Sequence, residues 1–111
     1  MRDIKFRAWD KLYNEMLHDI QFKHYDVTFD LYLTDRYVVM QYTGLKDRNG
    51  KEIYDGDIVK SNKYGDRMIV IWGHCAWGLK KTTGESAPSF TQYGLQDLYV
   101  IGNIYENNDL L

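Results

Sequence analysis

The sequence predicts a mainly β protein: an N-terminal β-hairpin unit plus a C-terminal SH3-like small β-barrel, with little helix. Short apolar stretches alternate with clusters of turn residues along most of the chain. Ten Tyr, three Trp and four Phe accompany many Val and Ile residues, and these residue types favour strands. No long stretch shows helical periodicity. We assign residues 1–43 to an N-terminal β subunit packed on the barrel and residues 44–111 to the barrel part, within one compact structural unit.

The N-terminal subunit is predicted from residues that alternate between two faces. Residues 3–10 have this period of two, which predicts a strand with one apolar face. Turn residues near 10–14 and an apolar stretch at 15–20 predict the returning strand of a hairpin. Further strands are expected near 27–33 and at 37–42. The apolar face of the first strand would be formed by Ile4, Phe6 and Ala8.

The centre of the chain, residues 40–60, contains two strong turn signals. The sequence DRNG at 47–50 predicts a tight turn, in which Asp47 bonds the backbone two residues on and Gly50 adopts a left-handed conformation. The sequence DGD at 55–57 predicts a second corner. Turns this close together are typical of a small barrel, whose short strands bend sharply.

Five short strands are predicted from Gly44 onward, which is the number expected for an SH3-like barrel. The most apolar run, MIVIW at 68–72, predicts a buried central strand. Gly102 within the last strand predicts a bulge or a close backbone crossing. A loop is expected at 82–89 and a short helical turn near 95–98. The five strands are expected near 51–54, 57–61, 67–73, 76–81 and 99–105.

The oxygen donors around Gly50 allow a second interpretation, a calcium-binding loop. An EF-hand loop needs ligands at its first, third and fifth positions and a Glu at the twelfth. Aligning Gly50 with the loop glycine places Leu45 first and Gly56 twelfth, so both key ligands are missing. An acid–base role for the Asp55 and Asp57 pair is also less favoured than a turn role, because Asp suits such corners for backbone reasons.

Catalytic and zinc-binding patterns are weak. Cys75 beside His74 is the strongest nucleophile–base candidate, but adjacent residues of a strand point to opposite faces. A free Cys is more often a small buried hydrophobe than a nucleophile. His18, His24, His74 and Cys75 also lack the spacing of a zinc site. We therefore predict no enzymatic activity, no metal and no cofactor.

Charge and cysteine content narrow the function classes. The net charge is −2, from 14 basic and 16 acidic residues, which counts against tight nucleic-acid binding but leaves a local basic patch open. A single Cys permits no internal disulfide and indicates a reducing cytoplasm. No signal-peptide core or membrane-spanning run is present in the sequence. A cytoplasmic protein without membrane association is expected.

Four segments together resemble one known family. They are IKFRAWD at 4–10, QYTGLKD at 41–47 continued by NGKEIY at 49–54, GDIV at 56–59, and VIGNIYEN at 100–107. In matching order, these segments resemble the YopX family, small proteins encoded by bacteriophages and by prophages of bacterial, often Gram-positive, genomes. The resemblance implies a phage or prophage origin, a location in the bacterial host cell and a mostly β fold with an SH3-like C-terminal part. It implies no activity, substrate or catalytic residue.

The aromatic surplus is the feature with most functional potential. Exposed aromatic rings beside cations bind single-stranded nucleic acid in some small barrels, whereas Tyr and Trp in a core or oligomer interface explain the same composition. We favour the second explanation, and predict a phage accessory protein that acts through protein contacts, as a homo-oligomer or with a protein partner. A nucleic-acid-binding module in phage replication or regulation is the alternative. Two aromatic and basic patches are candidates for binding: Trp9 with Lys5 and Arg7, and Trp77 with Lys80 and Lys81.

Overall fold

The computed structural model describes residues 4–20, 35–73, 76–83 and 97–111. These residues form strands and one short 3-10 helix, so the prediction of a mainly β fold is confirmed. The chain divides into two compact units, Met1–Tyr42 and Thr43–Leu111. Within the ranges described, no helix has both the length and the apolar character needed to cross a bilayer. The elements are β1 Phe6–Asp10, β2 Glu15–Ile20, β3 Tyr37–Lys46, β4 Glu52–Tyr54, β5 Asp57–Ser61, β6 Arg67–Gly73, β7 Ala76–Lys81, β8 Leu98–Asn103 and the 3-10 helix Asn108–Leu110.

In the first unit, β1 is a central strand that pairs antiparallel with both β2 and β3. The predicted N-terminal hairpin is therefore confirmed. The prediction that β1 has a single apolar face is wrong, because four consecutive residues are buried and successive residues point to opposite faces. Ile4 precedes the strand and is exposed. The buried residues are Arg7, Ala8, Trp9 and Asp10.

A buried carboxylate organises the end of β1. The Asp10 carboxylate accepts hydrogen bonds from Nε and Nη2 of Arg36, at 3.1 and 3.0 Å, in a bidentate ion pair. The backbone N–H of Leu12 also donates to Asp10, at 2.9 Å, which holds the turn after β1. The hydrogen bond from Arg36 lowers the pKa of the Asp10 carboxyl below its usual range, and the same bond raises the pKa of Arg36. Asp10 is therefore expected to carry its charge in the folded protein down to acidic pH.

In the second unit, four antiparallel strands form a sheet in the order β7, β6, β5, β8. One side of this sheet carries the core, in which alternate residues of each strand pack together. The bounds of β5, β6 and β7 agree with the predicted ranges, and β6 is central as predicted. The SH3-like arrangement of this unit stays a prediction. The core consists of Ile53, Val59, Met68, Val70, Leu79 and Leu98, with Leu45, Trp77 and Val100 packed against it.

The two predicted corners of the second unit are present. Gly50 has a φ of 80°, and its N–H donates to the Asp47 carbonyl at 3.0 Å, as a four-residue turn requires. The Asp47 carboxylate accepts the N–H of Asn49 at 2.9 Å, which confirms the predicted side-chain bond two residues on. At the second corner, the buried Asp57 carboxylate accepts the N–H of Tyr54 at 2.7 Å. Asp47 and Asp57 therefore stabilise turns.

The last strand carries the predicted irregularity. The pairing of β5 with β8 shifts register between Ile58 and Val59, because Ile58 lies opposite Gly102 whereas Val59 lies opposite Val100. A Cβ atom added at Gly102 would overlap the Asn107 side chain. The bulge is confirmed, whereas the group that approaches Gly102 closely is the side chain of Asn107 rather than a crossing backbone. The predicted strand at 27–33 lies outside the described residues, as do most of the predicted loop at 82–89 and the first half of the helical turn at 95–98.

Candidate functional site

The first predicted patch, Lys5, Arg7 and Trp9, does not form an exposed aromatic surface. Strand alternation places Trp9 on the face shared with Lys5 and Arg7, which predicts partial exposure, but Trp9 is only 9% exposed and this prediction is wrong. Arg7 is also buried, and its Nη2 lies 3.7 Å from the Met40 sulfur. Lys5 places its Nζ 5.5 Å from the centroid of the Tyr42 ring. Both faces of β1 are covered, since its four consecutive buried residues point alternately to opposite faces.

The second predicted patch, Trp77, Lys80 and Lys81, lies on β7 and divides between the two faces of the sheet. Trp77 is half-buried against the core, whereas Lys80 is exposed. Because Leu79 points into the core, its neighbour Lys80 points to the opposite, outer face. Lys81 is half-buried at the end of the strand. Trp77 and the two lysines therefore do not form one surface.

Trp77 belongs to an aromatic pair at the end of the β6–β7 hairpin. Trp72 lies directly opposite Trp77, with ring centroids 4.8 Å apart and an interplanar angle of 68°. This edge-to-face geometry is a favourable one for aromatic pairs. Trp72 is 57% exposed and its neighbour Ile71 is 37% exposed, so the prediction that 68–72 is buried throughout is wrong for these two residues. We call the Trp72–Trp77 pair the aromatic end.

The outer face of the same sheet carries a second cluster, of cations. Val59 and Met68 pack in the core, so their neighbours Lys60 and Arg67 point to the outer face, where they lie directly opposite each other. Lys80 is on the next strand, opposite Ile69. We call Lys60, Arg67 and Lys80 the basic face.

Charge is segregated on this sheet. The only acidic residue in β5, β6, β7 and β8 is Asp57, which is buried and holds a turn. The same strands contain Lys60, Arg67, Lys80 and Lys81. The chain as a whole has a net charge of −2, so its overall composition conceals a locally basic sheet.

A small groove adjoins the basic face where β6 begins and β7 ends. It has a volume of about 280 Å³, just below the range of about 300–1,000 Å³ of pockets that hold drug-sized molecules, so it suits a small group. Arg67 reaches across it, donating from Nη1 to the Leu110 carbonyl at 3.3 Å. The groove is lined by Gly65, Asp66, Arg67, Lys81, Thr82, Thr83, Leu110 and Leu111.

Catalytic and metal candidates gain no support from the geometry. Cys75 and His74 lie outside the described residues. In the part of the chain that the structure describes, no three His, Cys, Asp or Glu residues are grouped in a way that could hold a metal ion. The aromatic end and the basic face are the candidate surfaces that the described strands β5 to β8 provide.

Comparisons with known proteins identify relatives of the whole chain. The family described as YopX protein matches residues 5–111. The crystal structure of protein EF1440 from Enterococcus faecalis is similar, with 26% identity, a TM-score of 0.74 and coverage of 100% of this chain and 99% of that chain. Protein yopX from Bacillus subtilis shares the fold, with 18% identity, a TM-score of 0.63 and coverage of 100% and 99%. No curated protein matches the chain.

Proposed function

The chain belongs to the YopX family, and from this premise we propose that it is a non-enzymatic phage accessory protein that acts through protein contacts, beginning with self-association. The phage origin follows the family resemblance of its sequence motifs. The exposure of Trp72 is the observation that carries the protein-contact role.

Trp72 has the properties of an interface anchor. A Trp side chain carries a large apolar area, and leaving more than half of it in water forgoes that much hydrophobic stabilisation. The ring rests edge-to-face on Trp77, which itself packs against the core, so its orientation is set before any partner arrives. Preorganised aromatic residues lose little conformational entropy on binding, and Trp is enriched among the residues that dominate interfaces.

A second copy of the chain is the partner that these features favour. Gly73 and Ala76 lie opposite each other beside the Trp72–Trp77 pair, and such small residues permit close approach of another surface. In a two-fold symmetric dimer the same patch covers itself, so one exposed Trp on each copy would be buried by its counterpart.

The test is the oligomeric state of the full chain, measured by sedimentation velocity and light scattering over a range of micromolar concentrations. We expect a concentration-dependent oligomer, and we expect Trp72→Ser to weaken association by about tenfold or more, as loss of an interface anchor does. Tyr64→Ser is the matched control, because Tyr64 is an equally exposed aromatic residue, at 61%, on a turn of the same unit. A strictly monomeric wild-type protein, or equal effects of both substitutions, would contradict self-association through the aromatic end.

A further inference from the structure

Lys60 and Arg67 form a like-charge pair that the fold alone does not favour. Residues directly opposite each other on antiparallel strands have Cβ atoms about 4.5–5.5 Å apart, and like charges in such pairs are destabilising. Lys80 adds a third cation diagonally across from Arg67. The four strands of this sheet provide only the buried Asp57 as a carboxylate. Their combined positive charge therefore suits an external anion.

An aromatic ring lies beside these cations. Leu98 and Val100 point into the core, so Tyr99 between them points to the outer face. Tyr99 pairs directly with Lys60 across β5 and β8, and its side chain is half-buried. One row across three strands thus presents Tyr99, Lys60 and Arg67 in that order. Ile58, two residues before Lys60 on β5, is buried. The exposed part of the outer face is therefore limited to the end of the sheet that carries Lys60.

The small groove extends this row at its Arg67 end. Lys81 adds a second cation there, and the hydroxyl groups of Thr82 and Thr83 can donate to an oxyanion. Asp66 also lines the groove, so its charged side chains are two cations and one carboxylate. A phosphodiester group matches the groove in size and in the donors it requires.

We propose that the basic face, with Tyr99 and the groove, binds single-stranded nucleic acid. Lys60, Arg67 and Lys80 would contact backbone phosphates, and Tyr99 would stack on a base. A single strand is favoured over a duplex, because stacking on Tyr99 needs a base whose face is open. This inference goes beyond the proposed self-association, and it rests on a different face of the sheet from the aromatic end.

The mode of binding predicts its salt dependence. Each phosphate neutralised on a single strand contributes a slope of about −0.7 to log K against log salt, so three or four contacts give a slope of about −2 to −3. Because the protein has a net charge of −2, its overall charge does not attract a polyanion, and the attraction depends on the basic face. Binding is therefore expected at low salt and lost steeply as salt rises.

The experiment is fluorescence anisotropy of a labelled oligodeoxythymidylate titrated with the full-length chain at several salt concentrations. Lys60→Gln and Lys80→Gln are each expected to weaken binding and to reduce the magnitude of the salt slope by about 0.7. Lys51→Gln is the matched control, since Lys51 is an exposed lysine of the same unit that lies in the turn before β4. Tyr99→Phe is expected to retain affinity, because it keeps the stacking ring.

Several results would overturn the inference. They are no binding of the wild-type protein at low salt, an equal loss for Lys51→Gln and Lys60→Gln, or equal affinity for a duplex of the same sequence. Equal affinity for a polyglutamate competitor would show that the face attracts any polyanion and would also reject nucleic acid as its ligand. Trp72→Ser is expected to leave the salt slope of nucleic-acid binding unchanged. A failure of self-association can therefore be distinguished from a failure of nucleic-acid binding. Thermal unfolding of each variant confirms that it is folded.

Discussion

The side-chain carboxylate of Asp47 accepts a hydrogen bond from the backbone N–H of Val100 at 2.8 Å, although the two residues are 53 positions apart in sequence. The other carboxylate oxygen accepts the N–H groups of Asn49 and Lys51, both at 2.9 Å. Next to it, the Arg48 N–H donates to the Leu98 carbonyl at 2.9 Å. One buried side chain thus closes the 47–50 turn and attaches β8 to it.

Asp47→Ala is expected to lower the free energy of unfolding by about 3 kcal/mol. Hydrogen bonds to charged groups contribute about 1.5–3 kcal/mol each, and the substitution removes the acceptor of three backbone N–H groups, of which that of Val100 lies in a strand. Urea denaturation followed by circular dichroism measures the effect. Asp109→Ala, at an exposed position, is the control and should change stability by less than about 0.5 kcal/mol. Equal stability of the two variants would mean that Asp47 does not organise the turn.

Gly50→Ala and Gly78→Ala separate backbone strain from steric clash. An added Cβ atom would meet nothing within 4 Å at either position, but Gly50 has a φ of 80° and Gly78 lies within strand β7. Alanine at position 50 must adopt a left-handed conformation, which costs about 1–2 kcal/mol. Gly78→Ala should be neutral or stabilising, because it reduces the entropy of the unfolded chain. Thermal melts of the two variants measure this difference. A loss of stability of equal size at both sites would contradict the assignment of backbone strain to position 50 alone.

The Asp10–Arg36 ion pair predicts an acid-sensitive contribution to stability. The pKa of Asp10 is lowered from 3.8, chiefly by its hydrogen bond from Arg36. The stabilisation is therefore complete above the unfolded-state pKa, and it is lost as the pH falls from 3.8 through the lower folded-state pKa. In urea denaturation at a series of pH values, the stability gap between wild type and Asp10→Asn should be constant above about pH 5 and shrink below about pH 4. A stability difference that does not change with pH would exclude a stabilising contribution from the ionised Asp10 carboxylate.

Met68→Ala and Ile71→Ala compare two apolar residues of one strand that have different surroundings. Met68 is fully buried in the core, so its truncation should cost about 2–5 kcal/mol through lost burial and the cavity left behind. Ile71 is partly exposed, and its truncation should cost less than about 1 kcal/mol. Chemical denaturation of both variants provides the comparison, and similar losses would contradict the assignment of the two faces of β6.

Lys60→Glu is expected to stabilise the protein while it weakens nucleic-acid binding. Replacing the like-charge pair with an opposite-charge pair across β5 and β6 should add about 0.2–1 kcal/mol to the free energy of unfolding. Urea denaturation at low ionic strength measures this gain, which high salt should reduce. A destabilised Lys60→Glu variant would show that Lys60 has a favourable role in the fold and would contradict repulsion between Lys60 and Arg67.

The sequence predicted the strands of the second unit closely because each is bounded by its own turn chemistry. Gly56 precedes β5, and Asn62 with Gly65 separates β5 from β6. These residues act locally, so a window of a few positions is sufficient to recognise them. The burial of β1 was not predictable in this way, because it depends on what covers a strand rather than on the strand itself.

For each candidate surface, the sequence predicted some of the residues and missed others, because their partners lie on other strands. Trp77 and Lys80 are predicted because an aromatic residue lies close to basic residues in the sequence. Their partners Trp72 and Lys60 lie on other strands. The pairs Trp72–Trp77 and Lys60–Arg67 exist only once the register of β5, β6 and β7 is known. The Asp10–Arg36 ion pair, 26 residues apart, likewise has no local signal.

The bond between Asp47 and Val100 has a consequence for how the protein is made. On the ribosome, the 47–50 turn emerges long before β8, so one carboxylate oxygen of Asp47 lacks its Val100 partner until residues 98–103 have been synthesised. β5 likewise completes its pairing only after β8 has been synthesised, because β8 pairs along the length of β5. Pairings of such high sequence separation form slowly, so the second unit is expected to complete its folding only after β8 has been translated.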